Sequence, residues 1–169
     1  LPLLIVATSA NHDVSRILID QGSSWYIMYE DLFLRLKIKM ERLQPYVGGP
    51  LAAFDGSLTQ PLGFFVLPTT FKNKGDPTSL RIIQVRFLVV LCTSGCNCIL
   101  GRTSLKSLGA VPSTVHLKMR YHRTKNEVIT MAVDKKGLKR YLWMTEETLS
   151  STQQQNEDRT SFLHCPSTL

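Results

Sequence analysis

Between Gln44 and Phe71 the chain is interrupted by Pro45, Gly48, Gly49, Pro50, Pro61 and Pro68. Proline has no amide hydrogen to donate and its ring collides with the preceding turn, so a segment broken this often cannot form a long helix. Short strands joined by turns are what remains. Asp55-Gly56, a dipeptide suited to a tight turn, separates Leu51–Phe54 from Ser57–Thr59, which predicts a hairpin with its tip at Asp55-Gly56. After the polar stretch KNKGDPTS, read as a loop, comes LRIIQVRFLVVL, which alternates at first and is continuously apolar from Phe87 to Leu91. That pattern predicts an interior strand and a mainly β fold.

The N-terminal part has the same character. Leu3–Ala7 and Val14–Ile19 are apolar runs around Asn11, His12 and Asp13, which supply turn chemistry, so a first hairpin is expected. Ile27, Met28, Leu32, Phe33 and Leu36 have helical spacing, predicting a short helix from about Tyr29. One or two further helical turns are expected through Leu105 and Leu108, and a last strand pair around Val115–Tyr121. From Thr124 the pattern loosens. STQQQNEDRTS is polar and aperiodic, so residues 1–123 read as the domain and 124–169 as a poorly ordered linker or tail.

A length of 169 residues suits one domain. No stretch approaches the roughly 18 consecutive apolar residues of a membrane span, so no membrane association is expected. The net charge of +7 is spread along the chain without a nucleic-acid-binding motif, and reads as a solvated basic surface and not a nucleic-acid partner site. The N-terminus lacks Met and the features of a signal peptide, and reads as a piece of a longer reading frame. Cys92, Cys96 and Cys98 crowd one segment, unlike a disulfide framework, which points to a reducing cytoplasmic setting over a secreted one. Zinc would want paired ligands from two places, so these thiols read as buried or incidental; no metal or cofactor is expected. No Gly-x-Ser-x-Gly nucleophile element is present.

The residues that carry chemistry stand at the end of ILIDQGSSW. Ile17-Leu18-Ile19 reads as a buried strand, and Asp20 is a carboxylate delivered against a core, where it needs hydrogen bonds, a paired charge or a proton. This element, the FDGS hairpin followed by GFFVLPTTF, the FLVV strand and the run ILGRTSLKSLGAVPSTVHLKMRY occur in an order that resembles the retropepsin-like aspartic protease domain of plant gypsy-type LTR retrotransposon polyproteins. The resemblance covers about residues 1–121. It implies a closed β-barrel protomer with one or two short helices, acting as a homodimer on a peptide or polyprotein substrate. It also implies residue roles: Asp20 as the catalytic acid, and Gln21, Gly22 and Ser23 as its support. Phe54, Asp55, Gly56 and Ser57 would form the flap over the substrate. Ile99, Leu100, Gly101 and Arg102 would be the segment packed beside the acid loop. The family's usual residue after the acid is Thr or Ser, and here it is Gln21. That departure motivates the alternative expectation, a catalytically inactive dimerisation or peptide-binding domain from a decayed element.

Overall fold

The computed structural model describes residues 1–52, 56–73, 75–123 and 127–162. Strands β1 (Leu4–Ser9) and β2 (His12–Ile19) precede β3 (Tyr26–Tyr29), which runs directly into helix α1 (Glu30–Arg35); a 3₁₀ turn at Met40–Arg42 follows. Next come β4 (Leu51–Ala52), β5 (Leu58–Thr59), β6 (Gly63–Asn73) and β7 (Asp76–Val90). β8 (Cys98–Leu100), α2 (Arg102–Leu108), β9 (Val111–Ser113), β10 (Lys118–His122), β11 (Val128–Ala132) and α3 (Lys135–Phe162) complete the chain.

Six strands close into a barrel in the order β1-β2-β8-β3-β7-β6. The β2–β8 and β3–β7 pairs are parallel and the remaining neighbours antiparallel. Closure removes the exposed strand edges that an open sheet would carry. Along β6 the inward residues Gly63, Phe65, Leu67, Thr69 and Phe71 alternate with outward ones, the period-2 signature of a strand with one buried face. Phe65 sits between Phe33 of α1 and Phe87 of β7, with ring centroids 6.0 and 6.1 Å away. This row of three phenylalanines ties α1 to a core that is otherwise mostly aliphatic. Thr69 is tolerated on the buried face because its hydroxyl lies 2.6 Å from that of Ser9.

Several sequence expectations need revision. The KNKGDPTS stretch is not a long loop, since β6 and β7 continue as a ladder out to the Asn73↔Asp76 pair. The last strand pair is also different: β10 lies between β9 and β11, and 114–117 form the turn between β9 and β10. The largest difference lies beyond residue 123. Instead of an unordered tail the structure has β11, whose Ile129 and Met131 join the core beside Met119 and Tyr121, and then the long helix α3. Asp134 starts that helix, its carboxylate accepting from the Gly137 amide at 3.0 Å. Leu138 packs with Leu4 and Cys96, and the first turns of α3 cover β1 and β2. Further on the helix is polar, and Thr148, Ser150, Ser151 and Thr152 return their hydroxyls to carbonyls four residues earlier. A helix without an apolar stripe carries no periodic signal in its sequence.

Candidate active site

The segment Asp20–Trp25 joins two strands that are consecutive in the chain but not neighbours in the barrel, because β8 lies between β2 and β3. The loop must therefore cross the end of β8, and the two are tied together there. The Asp20 amide donates to the Leu100 carbonyl at 3.1 Å and the Arg102 amide to the Ser23 carbonyl at 2.9 Å. The crossing is close enough to dictate one residue. A Cβ on Gly101 would lie 2.4 Å from the Ser23 carbonyl oxygen and 2.6 Å from that of Trp25, so only glycine fits. Ile99-Leu100-Gly101 is thus a buried strand end that carries the acid loop, and Arg102 reaches up to donate to the Ser24 hydroxyl at 2.5 Å.

Inside the loop the Gly22 amide donates to Oδ1 of Asp20 at 2.8 Å. The Ser23 hydroxyl donates to the Trp25 carbonyl at 3.1 Å and accepts from the Trp25 amide at 3.2 Å. These short-range bonds fix where the carboxylate points. Asp20 is half-buried, Gln21 and Gly22 are exposed. The carboxylate faces a cleft of about 820 Å³, large enough for several side chains of an extended peptide.

Four groups of residues line that cleft. Asp20, Gly22, Ser23, Ser24 and Trp25 form one wall, and Pro50, Leu51, Ala52, Ser57 and Thr59 the other. The barrel contributes Ile27, Tyr29, Val90 and Ile99, and the stretch Cys92-Thr93-Ser94 closes one end. Among the described residues Asp20 is the one carboxylate in this lining. The second wall is the expected hairpin: Leu51 pairs with Thr59 and Ala52 with Leu58. Gly56 has φ +81°, a left-handed conformation that favours glycine. Phe54 and Asp55, the other expected flap residues, lie outside the described residues. Tyr46, in the segment that precedes the hairpin, stands edge-on to Trp25, ring centroids 5.9 Å apart.

The structure thus brings Asp20, Gly22, Ser23, Ser57 and Ile99 to one cleft, with Leu100, Gly101 and Arg102 directly behind it and Gln21 outside the lining. Residues that sequence reasoning did not single out are Trp25, Tyr29, Val90 and the 92–94 stretch. A tryptophan at the end of the polar Gln21–Ser24 run was the available signal, and the structure leaves it exposed. Burial pushes the Tyr29 phenol up to about 12. Burial also raises the Cys98 thiol well above the usual range and the Cys92 and Cys96 thiols in the same direction, so none is an activated nucleophile. Among the described residues no three His, Cys, Asp or Glu side chains are grouped to hold a metal ion.

A scan against protein-family models matches none, and a search of curated proteins finds no relative. Solved structures do match. The retroviral protease-like domain of Ddi1 from Leishmania major superposes with a TM-score of 0.54 at 17% identity, over 79% of this chain and 97% of that one. EIAV protease complexed with the inhibitor HBY-793 gives a TM-score of 0.46 at 26% identity, over 67% and 93% of the two chains. A retropepsin-like aspartic protease from Rickettsia conorii gives 0.48 at 16% identity, over 66% and 76%. The first of these, spanning nearly the whole of its counterpart, shows that the closed six-stranded barrel with its acid loop crossing β8 is a retropepsin-like fold.

Proposed function

We propose that this chain is one protomer of a homodimeric aspartic endopeptidase, of the kind that processes a retrotransposon polyprotein. The observation that carries the reading is the Asp20 carboxylate, oriented by the Gly22 amide at 2.8 Å and facing a cleft walled by the β4–β5 hairpin. One carboxylate is insufficient for this chemistry, and a two-fold axis passing beside the acid loop supplies the second from an identical chain. Two carboxylates about 3 Å apart do not both ionise readily and so share a proton. The protonated one donates to the scissile carbonyl, while the ionised one takes a proton from the attacking water. The apparent pKa values then belong to the pair.

An extended peptide fits between the hairpin and the acid loop, its side chains meeting Ile27, Val90 and Ile99 on the barrel side. Support for a polyprotein origin is the ILGRTSLKSLGA run, whose Gly101 is required by the crossing described above. Gln21, exposed beside the acid, would lie at the dimer axis where the family usually places a small hydroxyl. The test is cleavage of a peptide library at about pH 5, where a shared-proton dyad works, by the parent chain and by Asp20→Ala. Cleavage lost in the mutant is expected. Equal cleavage by both would sink the assignment, and a folded, dimeric parent that cuts nothing would leave a binding domain in its place.

A further inference from the structure

Arg16 is the buried residue least explained by the site above. It sits in β2 at the irregularity where the register with β1 shifts between Ile5 and Ala7, and its backbone is left-handed, with φ +52°. A non-glycine residue in that region is strained. The strain turns its side chain beneath α3, where only 7% of the residue is exposed. Its guanidinium meets neutral groups alone: Nη2 donates to Oδ1 of Asn97 at 3.0 Å and Nη1 lies 3.7 Å from Sδ of Met144. Nε is buried with no hydrogen-bond partner. The nearby Asp134 carboxylate is taken up by backbone amides, those of Gly137 at 3.0 Å and Arg16 at 3.4 Å.

Two more cations converge on this place. Arg35, at the end of α1, donates from Nη2 to the same Asn97 oxygen at 2.5 Å. Asn97 is itself pinned by donating to the Ser15 carbonyl at 2.7 Å, so its oxygen is held toward both guanidinium groups. Arg140 stands one helical turn before Met144 and therefore on the face of α3 that Arg16 touches. Burial, and then the like charges of Arg140 and Arg35, hold the Arg16 guanidinium below its usual value. Among the described residues the one side-chain ion pair is Arg123–Glu127, so no carboxylate pairs with any of the three arginines. Asp31 is the nearest opposing charge and offsets this only in part, and a buried cation gathered with two others and with no carboxylate in contact is costly. Guanidinium groups around one point match the geometry of a phosphate, whose oxygens accept from several forks at once.

We propose that Arg16, Arg35 and Arg140 form a receptor for a phosphate-class oxyanion, either the free ion or a terminal phosphate ester, which joins α3 and α1 to the barrel. None of the three lines the cleft, so this site is separate from the one assigned to peptide hydrolysis. The bound oxyanion supplies the contacting counter-charge that Asp31, at a distance, does not, and its occupancy sets how firmly α3 is held against β2.

The experiment is thermal unfolding of the full chain in rising inorganic phosphate, against sodium chloride at matched ionic strength. A ligand at about ten times its Kd should raise Tm by roughly 3–6 °C for a protein of this size. Arg35→Gln and Arg140→Gln, both at exposed positions, should each abolish most of that shift while leaving the fold intact. A second arm uses a nucleoside monophosphate: a larger shift than with phosphate assigns the site to an ester, a smaller one to the free ion. If chloride produces the same rise, the effect is general screening and the proposal fails. It also fails if Tm does not respond to phosphate, or if both variants keep the full shift.

Discussion

Asp20 differs from most strand-end acids in what its immediate neighbours do for it. The Gly22 amide donates to one of its oxygens, Oδ1, and the residue lines the cleft. Asp20→Asn keeps an acceptor for that amide but removes the acid. We therefore expect cleavage to fall by at least 10²- to 10⁴-fold, roughly the contribution of a general acid–base group, with the circular dichroism spectrum unchanged. Gly101 gives the opposite kind of prediction, because a methyl there collides with two backbone carbonyls at 2.4 and 2.6 Å. Gly101→Ala should destabilise the fold by about 1–3 kcal/mol in urea and displace the acid loop with it. Gly49→Ala, where a Cβ meets nothing within 4 Å, is the matched control. Tyr29 adds a pH signature. Burial raises its phenol from the ordinary 10 to about 12, so folding favours the protonated form. That contribution is complete below about pH 10 and is lost as the pH rises through about 12. A Tm profile from pH 9 to 12 should fall less steeply for Tyr29→Phe than for the parent; identical slopes would remove Tyr29 as the cause.

At the scale of elements, α3 divides into a docked part and a polar extension. Leu138 is packed on Leu4 and Cys96, whereas Glu146–Thr152 are exposed. Leu138→Ala should therefore cost about 2–3 kcal/mol, a buried leucine's cavity and transfer terms. A chain ended after Thr145 should unfold at the parent's urea midpoint; a large loss on that truncation would mean the extension packs somewhere. This division also explains what could be read in advance. The barrel strands and the acid loop were legible because alternation, turn dipeptides and the Asp20-Gln21-Gly22-Ser23 and Ile99-Leu100-Gly101 runs are local patterns. The docked turns of α3 were not: Leu138, Tyr141 and Leu142 stand at helical spacing, but this short stripe is set between the basic residues Lys135, Lys136, Lys139 and Arg140 and the polar stretch that follows. The end of the cleft at Cys92-Thr93-Ser94 was hidden for a different reason. It depends on the parallel pairing of β3 with β7, from Tyr26↔Phe87 to Tyr29↔Val90, a contact between distant segments that no local window contains. The pairing places Tyr29 and Val90 side by side at the cleft, and the 92–94 stretch follows from there.

For the whole molecule the decisive fact is stoichiometric. The cleft lining contains one carboxylate among the described residues, and a proton-sharing pair requires two. If both come from Asp20 in a two-fold dimer, activity belongs to the dimer and not to the chain. Two consequences separate this from a single-chain site. Specific activity should fall as the protein is diluted below its dimer dissociation constant, while a single-chain site is indifferent to dilution. Mixing is the stronger test, because it holds total protein concentration high. When parent chains exchange freely with an equal amount of Asp20→Asn chains, half of the parent protomers find a mutant partner. Each such dimer holds one acid and one amide, which cannot share a proton and ionise in the required way. Activity per parent protomer should therefore drop to about one half under random pairing in a closed two-fold dimer, and toward zero as the mutant is raised further. If Gln21 lies at that axis, Gln21→Thr introduced in both chains should leave that proportion unchanged, because it would alter how tightly chains pair and not how many acids each contributes. Activity per parent protomer that stays constant through the mixing series would mean the acid works without its copy, and the two-fold dyad would have to be abandoned.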